Sequence, residues 1–210
     1  MITMKKKIIL LSSMAVLISV LAGFLIINFN AVSEPELSIS YVQTNKDLKN
    51  LLLDHHISMS SPLKLSGDAI SQYCTFFANE SLQNSIEYCT STELLDSDGK
   101  YLGNIHMVGT SEKPRFVIGV IQVSPLLNNL DETKIVFQTL VDSLVCTCWE
   151  EEKPGGFESV SSWIDAANAH HLEAKKTTSK SEISGIAQKG LLLEITTNTE
   201  GYLWKFIIPN

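Results

Sequence analysis

The sequence predicts an α+β domain with a mostly antiparallel sheet, carried behind one N-terminal transmembrane helix. Three observations give that expectation. An uncharged apolar run, Ile8 to Ile27, follows Lys5, Lys6 and Lys7. The middle and the end of the chain each carry a group of three segments that alternate apolar and polar residues or run continuously apolar, as strands do. Between these groups lie two segments whose apolar residues recur every three or four positions, the spacing of a helix face. Together they read as two three-stranded groups packed with two main helices.

At about 1.5 Å per residue, Ile8 to Ile27 extends about 30 Å as a helix, the thickness of a bilayer's hydrocarbon. Ser12, Ser13 and Ser19 can bond back to their own helix carbonyls, and Gly23 is tolerated where lipid offers the backbone no other partner. A cleaved signal peptide would have a shorter run and a small residue two places before Ala31, where Phe29 stands. Leu21-Ala22-Gly23-Phe24 has Phe where a lipoprotein box requires cysteine. With the lysines on the short side, the positive-inside rule puts Met1 in the cytoplasm. The expectation is therefore a cytoplasmic stub and anchor over 1–32, crossing the cell membrane once, and an extracytoplasmic domain over 33–210.

The chain has 16 basic and 23 acidic residues. Three of the basic residues and none of the acidic ones precede Ser33, so the outer domain carries −10. Its single arginine is Arg115, and no basic stripe interleaved with aromatics is present, which excludes nucleic-acid binding by charge. The same acidity repels anionic lipid head groups and favours a domain that stands off the membrane surface.

All four cysteines, Cys74, Cys89, Cys146 and Cys148, fall in the outer domain, where an even count reads as disulfides. If Val145 to Trp149 is helical, Cys146 and Cys148 point about 200° apart and cannot bond each other. Each then reaches Cys74 or Cys89. A Cys74–Cys89 bridge is expected only if Cys146 and Cys148 stay free.

In order, Ser33 to Glu36 form a polar stalk and Leu37, Ile39 and Tyr41 a brief strand. Thr44 or Asn45 caps a helix to about His55, and Ser58 to Pro62 breaks it. A second helix runs from Asp68 to about Ala78, followed by the glycosylation sequon Asn79-Glu80-Ser81. Glu93 to Asp96, the turn Ser97-Asp98-Gly99 and Lys100 to Gly109 form a hairpin. Arg115 to Val123, apolar on both faces, is the expected central strand. Asn129 and Glu132 make a capping-box pattern ahead of a helix from Ile135 to Trp149. Pro154-Gly155-Gly156 ends it, and Glu158 to Leu172 is the next. Ser181 to Gln188, Leu191 to Thr197 and Tyr202 to Ile208 then form a meander, with Tyr202, Trp204, Phe206 and Ile208 turned toward the helices.

No G-x-S-x-G, H-E-x-x-H, phosphate-binding glycine loop or C-x-x-C occurs, so no catalytic residue is assigned and the reading leans against an enzyme. His55-His56, His170-His171 and His106, with Met59 and the sulfurs of Cys146 and Cys148, supply ligand types that suit copper or zinc. His106 with His170 or His171 would be the first pairing to examine. A hydrogen-bonded core histidine at His171 and a helix-end cation at His170 explain those residues without metal, so no metal or cofactor is assigned. Cys146-Thr147-Cys148 as a thiol-exchange pair is disfavoured by Glu150, Glu151 and Glu152, which would raise a thiol's pKa. Asp96-x-Asp98-Gly99 is too short for a calcium loop. Leu95 to Tyr101 resembles the D-x-x-G hairpin of extracytoplasmic PAS and Cache sensor domains over that short stretch alone, too little to imply the family. The resulting expectation is a membrane-anchored, disulfide-stapled binding or assembly module with a protein partner. The alternative is a metal-binding or thiol-redox accessory protein at the membrane face.

Overall fold

A single eight-stranded antiparallel sheet gathers every strand of residues 39–210, the part of the chain that this computed structural model describes. The expected anchor lies outside the described residues, and among those described no helix is long and apolar enough to cross a membrane. The first meander is β3 (Tyr88–Leu95), β4 (Tyr101–Gly109) and β5 (Pro114–Val123). The second is β6 (Thr178–Ile186), β7 (Lys189–Asn198) and β8 (Gly201–Pro209). β5 pairs with β8, so the two groups join into one sheet whose order mirrors itself about that seam. The expected central strand, Arg115 to Val123, is central. Two short strands, β1 (Ser58–Met59) and β2 (Leu63–Ser66), pair with β3 on either side of Pro62. The sequence showed only a break there, because two-residue and four-residue strands leave too little alternation to read.

Six α-helices accompany the sheet, and three of them form a layer on one face: α1 (Tyr41–Leu53), α4 (Leu130–Leu144) and α6 (Val160–Glu173). α4 is the middle helix, burying Val136, Phe137, Leu140, Val141 and Leu144. It approaches β5 closely because Gly119 has no Cβ: one placed there would sit 3.1 Å from both Phe137 and Leu140. The meander aromatics turn toward this layer as expected. Trp204 and Phe206 are fully buried, and Phe137 packs on Phe206 with ring centroids 4.9 Å apart.

Several element ends move, each for a local reason. α1 starts at Tyr41 because Ser40 caps it, its side chain accepting from the Gln43 N–H. Thr44 and Asn45 are therefore buried inside the helix, and Asn45 Nδ2 donates to Thr92 Oγ1 at 2.8 Å. Tyr41, expected to end a strand, is helical; Leu37 lies outside the described residues. α2 (Asp68–Tyr73) stops short of Ala78, and α3 (Glu80–Asn84) begins after Asn79, whose side chain accepts from the Leu82 N–H. α4 starts five residues earlier than Ile135 and ends five before Trp149. Its Asn129 makes no capping bond; the amide instead accepts from Ser124 N–H and donates to Gln122 C=O. The capping box sits on α6, where Ser159 and Ser162 bond reciprocally. The β6–β7 turn falls at Ala187 and Gln188, both at positive φ, rather than at Lys189-Gly190.

Candidate functional site

The sheet face away from the helices divides into a covered and an open half. Over the first meander lies a strap, residues 67–87, holding α2 and α3. Gln83 locks its fold: its side chain accepts from the Phe76 and Phe77 N–H groups and donates to Cys74 C=O at 2.8 Å. The Phe77 ring meets Phe116 with centroids 4.8 Å apart, and Phe76 covers His106 at 4.6 Å. A disulfide between Cys74 and Cys89, both fully buried, fastens the strap to β3.

The strap stops at Lys205, whose Nζ donates to Phe76 C=O at 3.2 Å. Beyond it, β8, β7 and β6 present Leu203, Leu192 and an ion ladder. Lys205 and Lys180 both hold the Glu194 carboxylate, at 2.7 and 3.1 Å, from the strands on either side. Burial works to raise the Glu194 carboxyl, but the bonds and charges of the two lysines outweigh it and hold it below its ordinary value. The ladder ends at β6, which pairs with β7 alone among the described residues.

The second disulfide joins Cys146 to Cys148, which corrects the expected linkage of these cysteines to Cys74 and Cys89. The exclusion of a Cys146–Cys148 bond assumed a helix through Val145 to Trp149. α4 ends at Leu144 instead, and a separate turn, α5 (Trp149–Glu152), starts after Cys148, so the backbone between the helices brings the two Cα atoms to 5.2 Å. Both cysteines are half-buried, and Glu152 Oε1 lies 3.3 Å from Cys148 Sγ. A disulfide sulfur has no proton to offer that carboxylate, whereas a reduced Cys148 thiol would donate to it.

The histidines are not brought together. His106 lies on the outer face under Phe76; burial lowers its pKa to about 4, and its Nδ1 is buried without a partner. His171 lies on the helix side, 1% exposed, with its ring nitrogens 2.8 Å from Ser179 Oγ and from Thr197 Oγ1. One nitrogen donates and the other accepts, so the ring clamps α6 to β6 and β7 and keeps no nitrogen free for proton transfer. Among the described residues no three His, Cys, Asp or Glu side chains are grouped to hold a metal ion.

Two open hollows line the end of the sheet where β5 finishes and β8 begins. One, of about 320 Å³, has Lys175 and Lys176 beside His171 and Tyr202; the other, of about 560 Å³, has Asp96, Asp98, Glu132 and Glu200. In the second, Asp96 Oδ1 already accepts from the Asp98 and Lys100 N–H groups, which is the work of a hairpin turn. Sequence reasoning found the lysines and acids of β6 to β8 only as the polar alternation of a strand; their ladder depends on register. No family model, curated protein or solved structure matches the chain.

Proposed function

We propose that this chain is a single-pass membrane-anchored module that displays its α+β domain outside the cell and acts by binding or assembly. The observation that supports it most is the uneven outer face of the sheet, tightly strapped over β3 to β5 and open over β6 to β8. An open half bearing Leu203, at 36% exposure, beside a charge ladder and an unpaired strand edge offers main-chain, apolar and ionic contacts at once. Pairing of all four cysteines agrees with an oxidising compartment. The apolar run Ile8 to Ile27 behind three lysines supports the anchor and its orientation. The test is fractionation of cells expressing the full chain, followed by protease treatment of intact cells. Retention in membranes after alkaline extraction, with the domain cleaved from outside, is expected; a soluble or protease-protected domain would reject the anchoring.

A second reading has its own observation. The half-buried Cys146–Cys148 pair next to Glu152 has the exposure a thiol-exchange site needs, unlike the sealed Cys74–Cys89 pair. Equilibration of the full chain with a glutathione redox buffer, read by alkylation and peptide mapping, tests it. Exchange confined to Cys146 and Cys148 near the buffer's own potential supports this reading, and complete resistance removes it.

A further inference from the structure

The open edge carries a pattern that fits a particular occupant. Where β6 begins, the Thr197 N–H of β7 donates to Thr177 C=O at 2.8 Å, which makes 177 and 197 a hydrogen-bonded pair continuing the β6–β7 ladder. In an antiparallel pair such positions alternate, so residues 179, 181 and 183 also turn their main-chain groups toward β7. Thr178, Lys180, Glu182 and Ser184 therefore aim their N–H and C=O groups at the free edge. The side chains of these same four residues lie on the outer face with Glu194 and Lys205.

Along this face the charge alternates toward the edge: Lys205 on β8, Glu194 on β7, Lys180 on β6. The Lys180 side chain remains 53% exposed, and Glu182, opposite Leu192, has no ion pair among the described residues. The other edge of the sheet is broken: β1 and β2 are interrupted by Pro62, which cannot donate to a ladder. β6 is nine residues long, and its bulge falls only after Ser184.

We propose that a second copy of this chain occupies the β6 edge, antiparallel, about a two-fold axis through Ser181. The inference rests on the reading of the β6 to β8 half as an interaction surface and names its partner. Edge-pointing residues must face edge-pointing residues, so the axis passes through a residue and not between two. An axis at Lys180 sets lysine against lysine, and one at Glu182 sets glutamate against glutamate. The axis at Ser181 sets Lys180 against the partner's Glu182 and Glu182 against the partner's Lys180. The ladder then runs Lys205, Glu194, Lys180 and the partner's Glu182 across two sheets that have become one, and Thr178 and Ser184 extend the pairing on either side. A lysine alone on an edge strand repels further strands. Lys180 and Glu182 two residues apart are self-complementary across this axis, which selects one register as well as admitting one partner.

The experiment is the oligomeric state of the full chain in detergent, by sedimentation, for the wild type, Lys180→Glu, Glu182→Lys and a mixture of the two variants. Wild-type dimers are expected. Each variant alone places like charges on both rungs and should weaken association about tenfold or more. In the mixture, one copy presents carboxylates at positions 180 and 182 and the other presents ammonium groups at both. Both rungs then join opposite charges, and heterodimers should form at close to wild-type strength. Glu182→Lys faces Leu192 within its own sheet, so its circular dichroism should match the wild type even if Lys180→Glu loosens β6 from Glu194. A monomeric wild type, dimers indifferent to both variants, or a mixture that stays monomeric would each overturn the proposal. Membrane fractionation of the same samples reads the anchoring separately, so a monomer found in the membrane fraction rejects the dimer alone.

Discussion

The two meanders share a sheet and a helix layer yet differ on the outer face. β3 to β5 lie under a strap sealed by a buried disulfide, with His106 and Phe116 packed beneath Phe76 and Phe77. β6 to β8 carry ions at the corresponding positions and end on an unpaired edge. The difference teaches that one half is finished by its own chain and the other is left for contact. The distinction also separates the two disulfides, one closing the finished half and one standing at the surface beside α5.

The strongest way to break the comparison is to disturb what the halves share. Phe137 touches the space above Gly119 in the first meander and packs on Phe206 in the second. Phe137→Ala should cost about 4 kcal/mol, read as one cooperative shift in urea unfolding. Two separate transitions would mean that the halves are independent units. Next in size is the strap. The Cys74→Ala/Cys89→Ala variant should lose about 3 kcal/mol, because the bridge closes a loop with a sequence separation of 15. Amide exchange should rise over residues 67–87 and stay unchanged in β6 to β8; a uniform rise would erase the distinction.

Acid sharpens it further. Burial holds the His106 pKa at about 4, below the ordinary histidine value of 6.5, so the unfolded chain takes up the proton first. That deficit is absent above pH 6.5, grows as pH falls from 6.5 to about 4, and is complete below that. At pH 5 it should amount to about 2 kcal/mol. His106→Phe should flatten the stability profile in this window by that amount relative to wild type, and an unchanged slope would show that the ring is hydrated. The smallest effect belongs to Cys146→Ser/Cys148→Ser. A bridge across a sequence separation of 2 restrains little chain, and its loss should cost about 1.5 kcal/mol without altering exchange in the strap.

The polar positions of the open half were legible one at a time. Glu194 between Leu193 and Ile195, and Lys205 between Trp204 and Phe206, mark the outward side of each strand by alternation alone. That they meet on one carboxylate with Lys180 was not, because ladder register depends on turn geometry. The β6–β7 turn sat at Ala187 and Gln188, which carry no glycine signal for positive φ.

By itself the sequence determined the α+β class, the two three-stranded groups, the buried aromatic face of β8 and the helices that cover it. These follow from periodicities of two and 3.6 residues, which are written within a few turns of chain. Only the tertiary structure decided that β5 meets β8, that Cys74 pairs with Cys89 and Cys146 with Cys148, and that His106 and His171 lie on opposite faces of the sheet. Each of these outcomes turns on where a helix stops or which strands become neighbours. Those are settled by burial and backbone pairing summed over the whole domain, in which a local pattern is one small contribution.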